Sequence, residues 1–231
     1  MRRSAALALV WLVATAARFA PPVPPDIPPS LVLQRYEEAL AQIQPPPDSI
    51  FEYAVEQSGL RDLEETHRVY RQGQRERDET IRVDGFALKP PRVRVVQKPD
   101  RYAVERLAPK PGDYTFAFSS RSVQAGRAVY TFKTELQRVA PFSITSIDVD
   151  AEHFLPLTLR FRTVNGDTKA DGHVSYAPQA TFWLPREASV EARTGTGKVA
   201  RERITWSQYV FPDALPPSTF APPRPKVTAT P

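Results

Sequence analysis

Residues 155–164 read LPLTLRFRTV. In this run Leu157, Leu159 and Phe161 alternate with Thr158, Arg160 and Arg162. A period of two sends the apolar side chains to one face and the charged ones to the other, which predicts a half-buried antiparallel strand. The arrangement returns at 203–211, where Ile204, Trp206 and Val210 alternate with Arg203, Thr205, Ser207 and Tyr209. Here the aromatics at Trp206 and Tyr209 put weight on both faces.

Working outward, the chain from 142 to 209 reads as consecutive strands with almost no helical signal: 142–149, 155–164, 170–177, 181–193 and 198–211. Asn165-Gly166-Asp167 and Gly195-Thr196-Gly197 mark hairpin turns between them. Upstream, Phe51, Tyr53 and Val55 alternate with Glu52, Ala54 and Glu56. Residues 65–74 and 76–83 read as a charged pair turning near Gly73, and 92–97 and 102–107 follow, separated by Lys98, Pro99 and Asp100. Then come 115–120, with Phe116 and Phe118 on one face, and 128–136, with Tyr130 and Phe132 on one face. About eleven strands in short-loop succession predict an antiparallel meander, and a sheet of that size curls.

One helix precedes the strands. Residues 31–44 carry Leu33, Tyr36, Leu40 and Ile43 at spacings of three and four, with Ser30 as the expected N-cap and Glu37 and Glu38 on the wet side. Pro45, Pro46 and Pro47 stop it. Its apolar stripe is expected to lie on the oily face of the sheet. The expected fold class is therefore α+β, a large curled antiparallel sheet forming an incomplete or half β-barrel, with an N-terminal helix over the concave face.

The ends of the chain differ in character. Arg2 and Arg3, an apolar run over 5–14 and small residues at Ala14, Ala16 and Ala17 have the layout of a secretory signal peptide spanning 1–20. Cleavage is expected between Ala16 and Ala20, with an uncleaved N-terminal anchor as the alternative, and the mature chain is expected to be exported, periplasmic or extracytoplasmic. The 25 prolines cluster, which predicts a Pro-rich linker over 21–29, a single domain over 30–211 and an extended Pro-rich tail over 212–231. Absence of cysteine rules out disulfides, thiolate metal sites and a lipid-modified cysteine, so stability must rest on the core. The formal charge of +5 includes Arg2 and Arg3, and Arg18 with a later cut, so the mature chain carries +3 or +2. That is too small to argue for nucleic acid.

Three short motifs carry a resemblance. Ile147, Asp148, Val149 and Asp150 followed by Leu155, Pro156 and Leu157 are similar to the strand, acidic turn and Leu-Pro pair of the outer-membrane lipoprotein carriers. Trp183, Leu184 and Pro185 resemble that family's later aromatic-Leu-Pro step, and Ser218, Thr219, Phe220, Ala221, Pro222 and Pro223 its terminal segment. The resemblance spans about 31–223. It implies a half-barrel whose concave apolar face, covered by helices, accommodates acyl chains of lipoproteins or other lipids. The chain departs from the carriers in showing one helix and no lid-locking arginine by motif.

An acyl chain in water costs about 0.8 kcal/mol per methylene, so a carrier needs a sheltered groove. The candidate lining is Phe51, Tyr53, Phe116, Phe118, Tyr130, Phe132, Leu157, Leu159, Phe161, Ile204 and Trp206. The competing expectation is a closed core in which these side chains touch only each other and the helix. The expected partner is an acyl chain of a lipid or lipoprotein, bound by a monomer without cofactor, or an envelope protein bound through an edge strand. No catalytic motif is present: there is no Gly-x-Ser-x-Gly elbow, no His-Glu-x-x-His and no phosphate loop. His67, His153 and His173 lack metal-type spacing. His153 with Asp148 and Asp150 on a turn is conceivable as a site, with solvated turn residues as the simpler reading. Arg68, Arg71, Arg75, Arg77 and Arg82, interleaved with Glu76, Asp78 and Glu79, read as a solvated hairpin.

Overall fold

The computed structural model describes residues 26–221, except 99 and 125. The expected signal peptide and its cleavage site, residues 21–25 of the expected linker and the end of the tail lie outside the described residues. Helix α1 (Pro29–Gln42) leads into β1 (Asp48–Ser58), β2 (Leu63–Gln72), β3 (Arg75–Val83) and β4 (Phe86–Gln97). A one-turn helix α2 (Val104–Leu107) precedes β5 (Tyr114–Gln124), β6 (Arg127–Leu136), β7 (Phe142–Asp150), β8 (Pro156–Asn165), β9 (Thr168–Gln179), β10 (Phe182–Arg193) and β11 (Val199–Val210). All eleven strands form one antiparallel sheet in the order β4-β3-β2-β1-β11-β10-β9-β8-β7-β6-β5, with β4 and β5 as unjoined edges. This is the expected half-barrel: a sheet that does not close, with an N-terminal helix.

The order departs from a simple meander at one place. Strand β1 pairs with both β2 and β11, so two meanders meet in the middle of the sheet. The link between β4 and β5, residues 98–113, must therefore travel from one edge to the other. It crosses the face that α1 covers, where Val104 and Ala108 join Val32 and Tyr36 of α1 in one buried cluster. The Tyr36 hydroxyl donates to the Pro109 carbonyl at 2.8 Å, and the Tyr176 hydroxyl of β9 donates to the Tyr102 carbonyl at 3.1 Å.

Three local expectations are corrected by this arrangement. Residues 102–107 are not a strand, because no neighbour lies beside them to pair with. Val104, Leu107 and Ala108, spaced three and four apart, turn one helical face to the core, and Ala108 N donates to the Val104 carbonyl at 2.8 Å. Strand β4 starts at Phe86 instead of residue 92; its prolines, Pro90 and Pro91, are tolerated because it is an edge. Helix α1 starts at Pro29 and has no side-chain cap from Ser30. The Pro28 carbonyl accepts from Leu31 N (3.0 Å) and Val32 N (3.1 Å), and Pro29 at the first helical position has its φ already set.

The core fills the β6–β10 half of the trough. Tyr130, Phe132, Ile147, Val149, Leu159 and Val174 are fully buried there with Val32 and Tyr36. Gly172 of β9 stands opposite Phe161, whose ring occupies the place a Cβ would take, at 2.5 Å. On the far side of the sheet, the described part of the C-terminal segment folds back onto β3. Leu215 and Phe220 are buried, Arg75 lies 4.7 Å from the centre of the Phe220 ring, and Arg77 donates to the Thr219 carbonyl at 3.0 Å. No helix among the described residues is long and apolar enough to cross a membrane.

The crossover anchor gives a direct test. Tyr36→Phe keeps the ring and leaves the buried Pro109 carbonyl unpaired, so unfolding in urea should lose about 1–3 kcal/mol.

Candidate functional site

The β1–β4 half of the trough is built differently. Inward-facing residues of β1 are Phe51, Tyr53, Val55 and Gln57, and those of β11 are Glu202, Ile204 and Trp206, with Tyr53 opposite Trp206 and Val55 opposite Ile204. On β2 the alternate positions Glu65, His67, Val69 and Arg71 face the same space. Glu76 of β3 joins them, together with Arg94 of β4 and Lys98, Asp100, Arg101 and Tyr102 of the crossover. They enclose a cleft of about 460 Å³, within the usual size range of small-molecule sites. Its floor is apolar and aromatic, and its wall is charged.

The wall is internally paired. Arg71 lies against Phe51, 5.5 Å from the ring centre, and forks between Glu76 and Asp100. Lys98 reaches Glu76 at 2.8 Å and Arg92 reaches Glu65 at 2.6 Å. His67 stacks flat on Tyr53, centroids 4.5 Å apart, with Nδ1 2.8 Å from Asp78. Asp78 also accepts from Tyr53 at 3.0 Å and Arg94 at 3.3 Å. Burial opposes charge on Asp78, yet the hydrogen bonds from His67 and Tyr53 and the charge of Arg94 hold its pKa below the ordinary carboxylate value. Burial and that same carboxylate push the Tyr53 phenol far up, so it stays a neutral donor. Glu76, Asp78 and His67 are buried, which overturns the solvated-hairpin reading for the inner face of β2 and β3.

Of the sequence candidates, Phe51, Tyr53, Ile204 and Trp206 come together on the cleft floor. Ile204 is also part of the buried core cluster, with Tyr53 and Trp206 packed against it, while Phe116, Tyr130, Phe132, Leu157, Leu159 and Phe161 pack in that cluster away from the cleft. Phe118 stands apart on the β5 edge, 43% exposed, with its ring edge-on to Phe132 at 5.8 Å. The space directly beneath α1 is thus occupied by side chains, and the opening lies beside it. Val55, Glu65, His67, Arg71, Glu76, Tyr102 and Glu202 are among the lining residues that sequence patterning passed over. The signal was there for β2, where Glu65, His67, Val69 and Arg71 alternate. Charges on both faces of that strand hid it.

Two other constellations have structural explanations. The structure joins His153 to Asp150 at 2.7 Å and places Glu152 beside them, while Asp148 turns to Thr131 (2.8 Å) and Arg160 (3.0 Å). Arg127 takes both Asp150 oxygens at 3.0 and 2.8 Å, so the positive charge a cation would bring is already supplied. Asp150 also accepts from His153 N at 3.0 Å, and the Trp183 indole donates to the Pro156 carbonyl at 2.7 Å. The motif residues that resemble the carriers therefore lock the turn between β7 and β8 to β6 and β10. On the outer face Ser189 lies 3.2 Å from His173, with Glu187 3.9 Å beyond. Ser189 is in register with His173 on one side and Arg203 on the other. Amide groups around it are committed to the ladder, which leaves no free N–H pair for an oxyanion.

No known family model matches the chain, and no curated protein matches it. Solved structures similar to it include a LolA superfamily protein from Nitrosomonas europaea, at 12% identity over 84% of this chain and 97% of that one, with a TM-score of 0.40. A DUF1329 family protein from Desulfovibrio piger is 11% identical over 83% and 96%, TM-score 0.47. A domain ascribed to outer membrane lipoprotein sorting, from Vibrio parahaemolyticus, is 14% identical over 81% and 95%, TM-score 0.45.

Asp150 carries a pH test. Burial works against its charge, but the hydrogen bonds from Arg127 and His153 hold its pKa below the unfolded carboxylate value. Its contribution to stability is therefore complete above about pH 4 and drains away as pH falls through the lower folded value. The urea midpoint should drop on acidification from about pH 5 to about pH 3, and Asp150→Asn should be less stable at neutral pH with a shallower acid dependence.

Proposed function

We propose that this chain is an exported, non-enzymatic binding or carrier protein for acyl chains of lipids or lipoproteins in the cell envelope, acting as a monomer. The observation that supports this reading is the open cleft beneath the crossover, where Tyr53, Val55 and Trp206 present the accessible part of an apolar floor and Phe51 and Ile204 are themselves buried. A methylene wholly buried there would gain at most about 0.8 kcal/mol over water. Protein purified from its own envelope should carry extractable lipid, and the lipid-free chain should bind a fluorescent fatty acid. Val55→Arg, in the middle of the floor, should weaken that binding by about tenfold or more, whereas Leu157→Ala, in the filled half, should lower stability and leave affinity alone. Lipid-free protein that also ignores the fatty acid sinks the reading.

One observation favours a second reading, an envelope interaction module that takes a partner strand at β5. That edge has no proline and one charged residue, Arg121, whereas β4 is guarded by Pro90, Pro91, Arg92 and Arg94. Phe118→Lys separates the two: fatty-acid binding should survive it if the cleft is the working site, and partner capture should be lost if the edge is.

A further inference from the structure

The cleft floor is a short stack of facing pairs. Tyr53 of β1 stands opposite Trp206 of β11, Val55 opposite Ile204 and Gln57 opposite Glu202, and all of them line the cleft. The first two pairs are apolar. The third is not: the Gln57 amide donates to the Glu202 carboxylate at 2.7 Å, and Glu202 makes no ion pair among the described residues.

Beyond this polar pair the inner face turns apolar again. Val190 of β10 stands opposite Glu202, and at the next inward position Ala192 faces Ala200. Together with Leu60 these residues line a second hollow of about 330 Å³, which shares Gln57 and Glu202 with the cleft. Two apolar spaces therefore lie end to end along β11, with one hydrogen-bonded polar pair across the junction.

We propose that Gln57 and Glu202 act as a chain-length stop: an acyl chain lies along Trp206 and Ile204 with its methyl end against this pair and its head group towards the crossover. This rests on the acyl-chain reading and adds a length limit to it. Methylenes laid over the pair would take water from a carboxylate whose one fixed donor is an amide, and would give no hydrogen bond back. An anionic head turned to that end would meet an unopposed like charge, whereas at the crossover end Glu76 and Asp100 are neutralised by Arg71 and Lys98. From Trp206 to Glu202 the strand rises about 13 Å at about 3.3 Å per residue, the length of roughly ten carbons of extended chain at about 1.25 Å each.

The test titrates the full chain with saturated fatty acids of about eight to about eighteen carbons, below their micelle concentrations, by displacement of a fluorescent fatty acid. Affinity should rise by up to about fourfold per added methylene and level off near about ten to twelve carbons. Gln57→Met combined with Glu202→Met keeps the side-chain length and opens the junction, so the levelling point should move about five carbons longer, the step from Glu202 to Ala200. Glu202→Met alone should move it the same way, and Glu202→Gln, which keeps a polar pair, should leave it in place. Affinity that climbs unbroken to the longest acid in the unaltered chain, or a levelling point that both Met variants leave unmoved, overturns the proposal while leaving the acyl reading standing. A chain that binds no fatty acid at all removes both.

Discussion

Two buried tyrosine hydroxyls govern the architecture. An open sheet of eleven strands, with no cysteine in the chain, has neither closure nor cross-links to fix its curvature. What spans it is the crossover of residues 98–113, a stretch with no strand alongside to satisfy its carbonyls. Tyr36 supplies a donor to Pro109 from the helix above, and Tyr176 supplies one to Tyr102 from the sheet below. Burial drives both phenols well above their ordinary pKa, so they are protonated donors at neutral pH. Arg71 adds a third anchor through Asp100, tying the start of the crossover to β2.

Placing the crossover there divides the trough. On the β6–β10 side, helix α1 and α2 press Val32, Tyr36, Val104 and Ala108 onto the sheet, and the space closes as an ordinary core. On the β1–β4 side the crossover passes overhead with Asp100, Arg101 and Tyr102, and no helix among the described residues fills the gap. The two halves follow from inner-face composition. Tyr130, Phe132, Ile147, Leu159 and Val174 gain by contact with an apolar helix face, whereas Glu65, His67, Arg71, Glu76 and Asp78 take their partners from one another, which an apolar helix face cannot supply.

The sequence shows the sheet well because period-two alternation is local: Leu157, Leu159 and Phe161 declare their face without knowledge of their neighbours. The meeting of β1 with β11 is not local, and nothing in either strand names the other. The crossover was misread for a related reason. Tyr102 and Val104 alternate as a strand would, but Val104, Leu107 and Ala108 also fit one helical turn, and only the absence of a pairing partner decides between them. The cleft was half legible. Aromatic and branched residues on its floor stand out in any strand pattern, while the charged wall on β2 and β3 looks like solvent-facing polarity until the strands are laid inside a curve.

That wall explains why the opening persists. A core collapses onto apolar surface because contact and dehydration act together. Beside the cleft floor stands a lattice of ion pairs whose largely buried members are held by one another and by Tyr53, with Arg71 Nε left unpartnered, so an apolar side chain approaching it would offer no hydrogen bond in return. The neighbouring floor of Val55, Ile204 and Trp206 presents the opposite preference. A surface that is greasy along one strand pair and ionic along the next is poorly matched by any single side chain. A molecule with the same division would match it, and that match is the physical ground of the binding role proposed above.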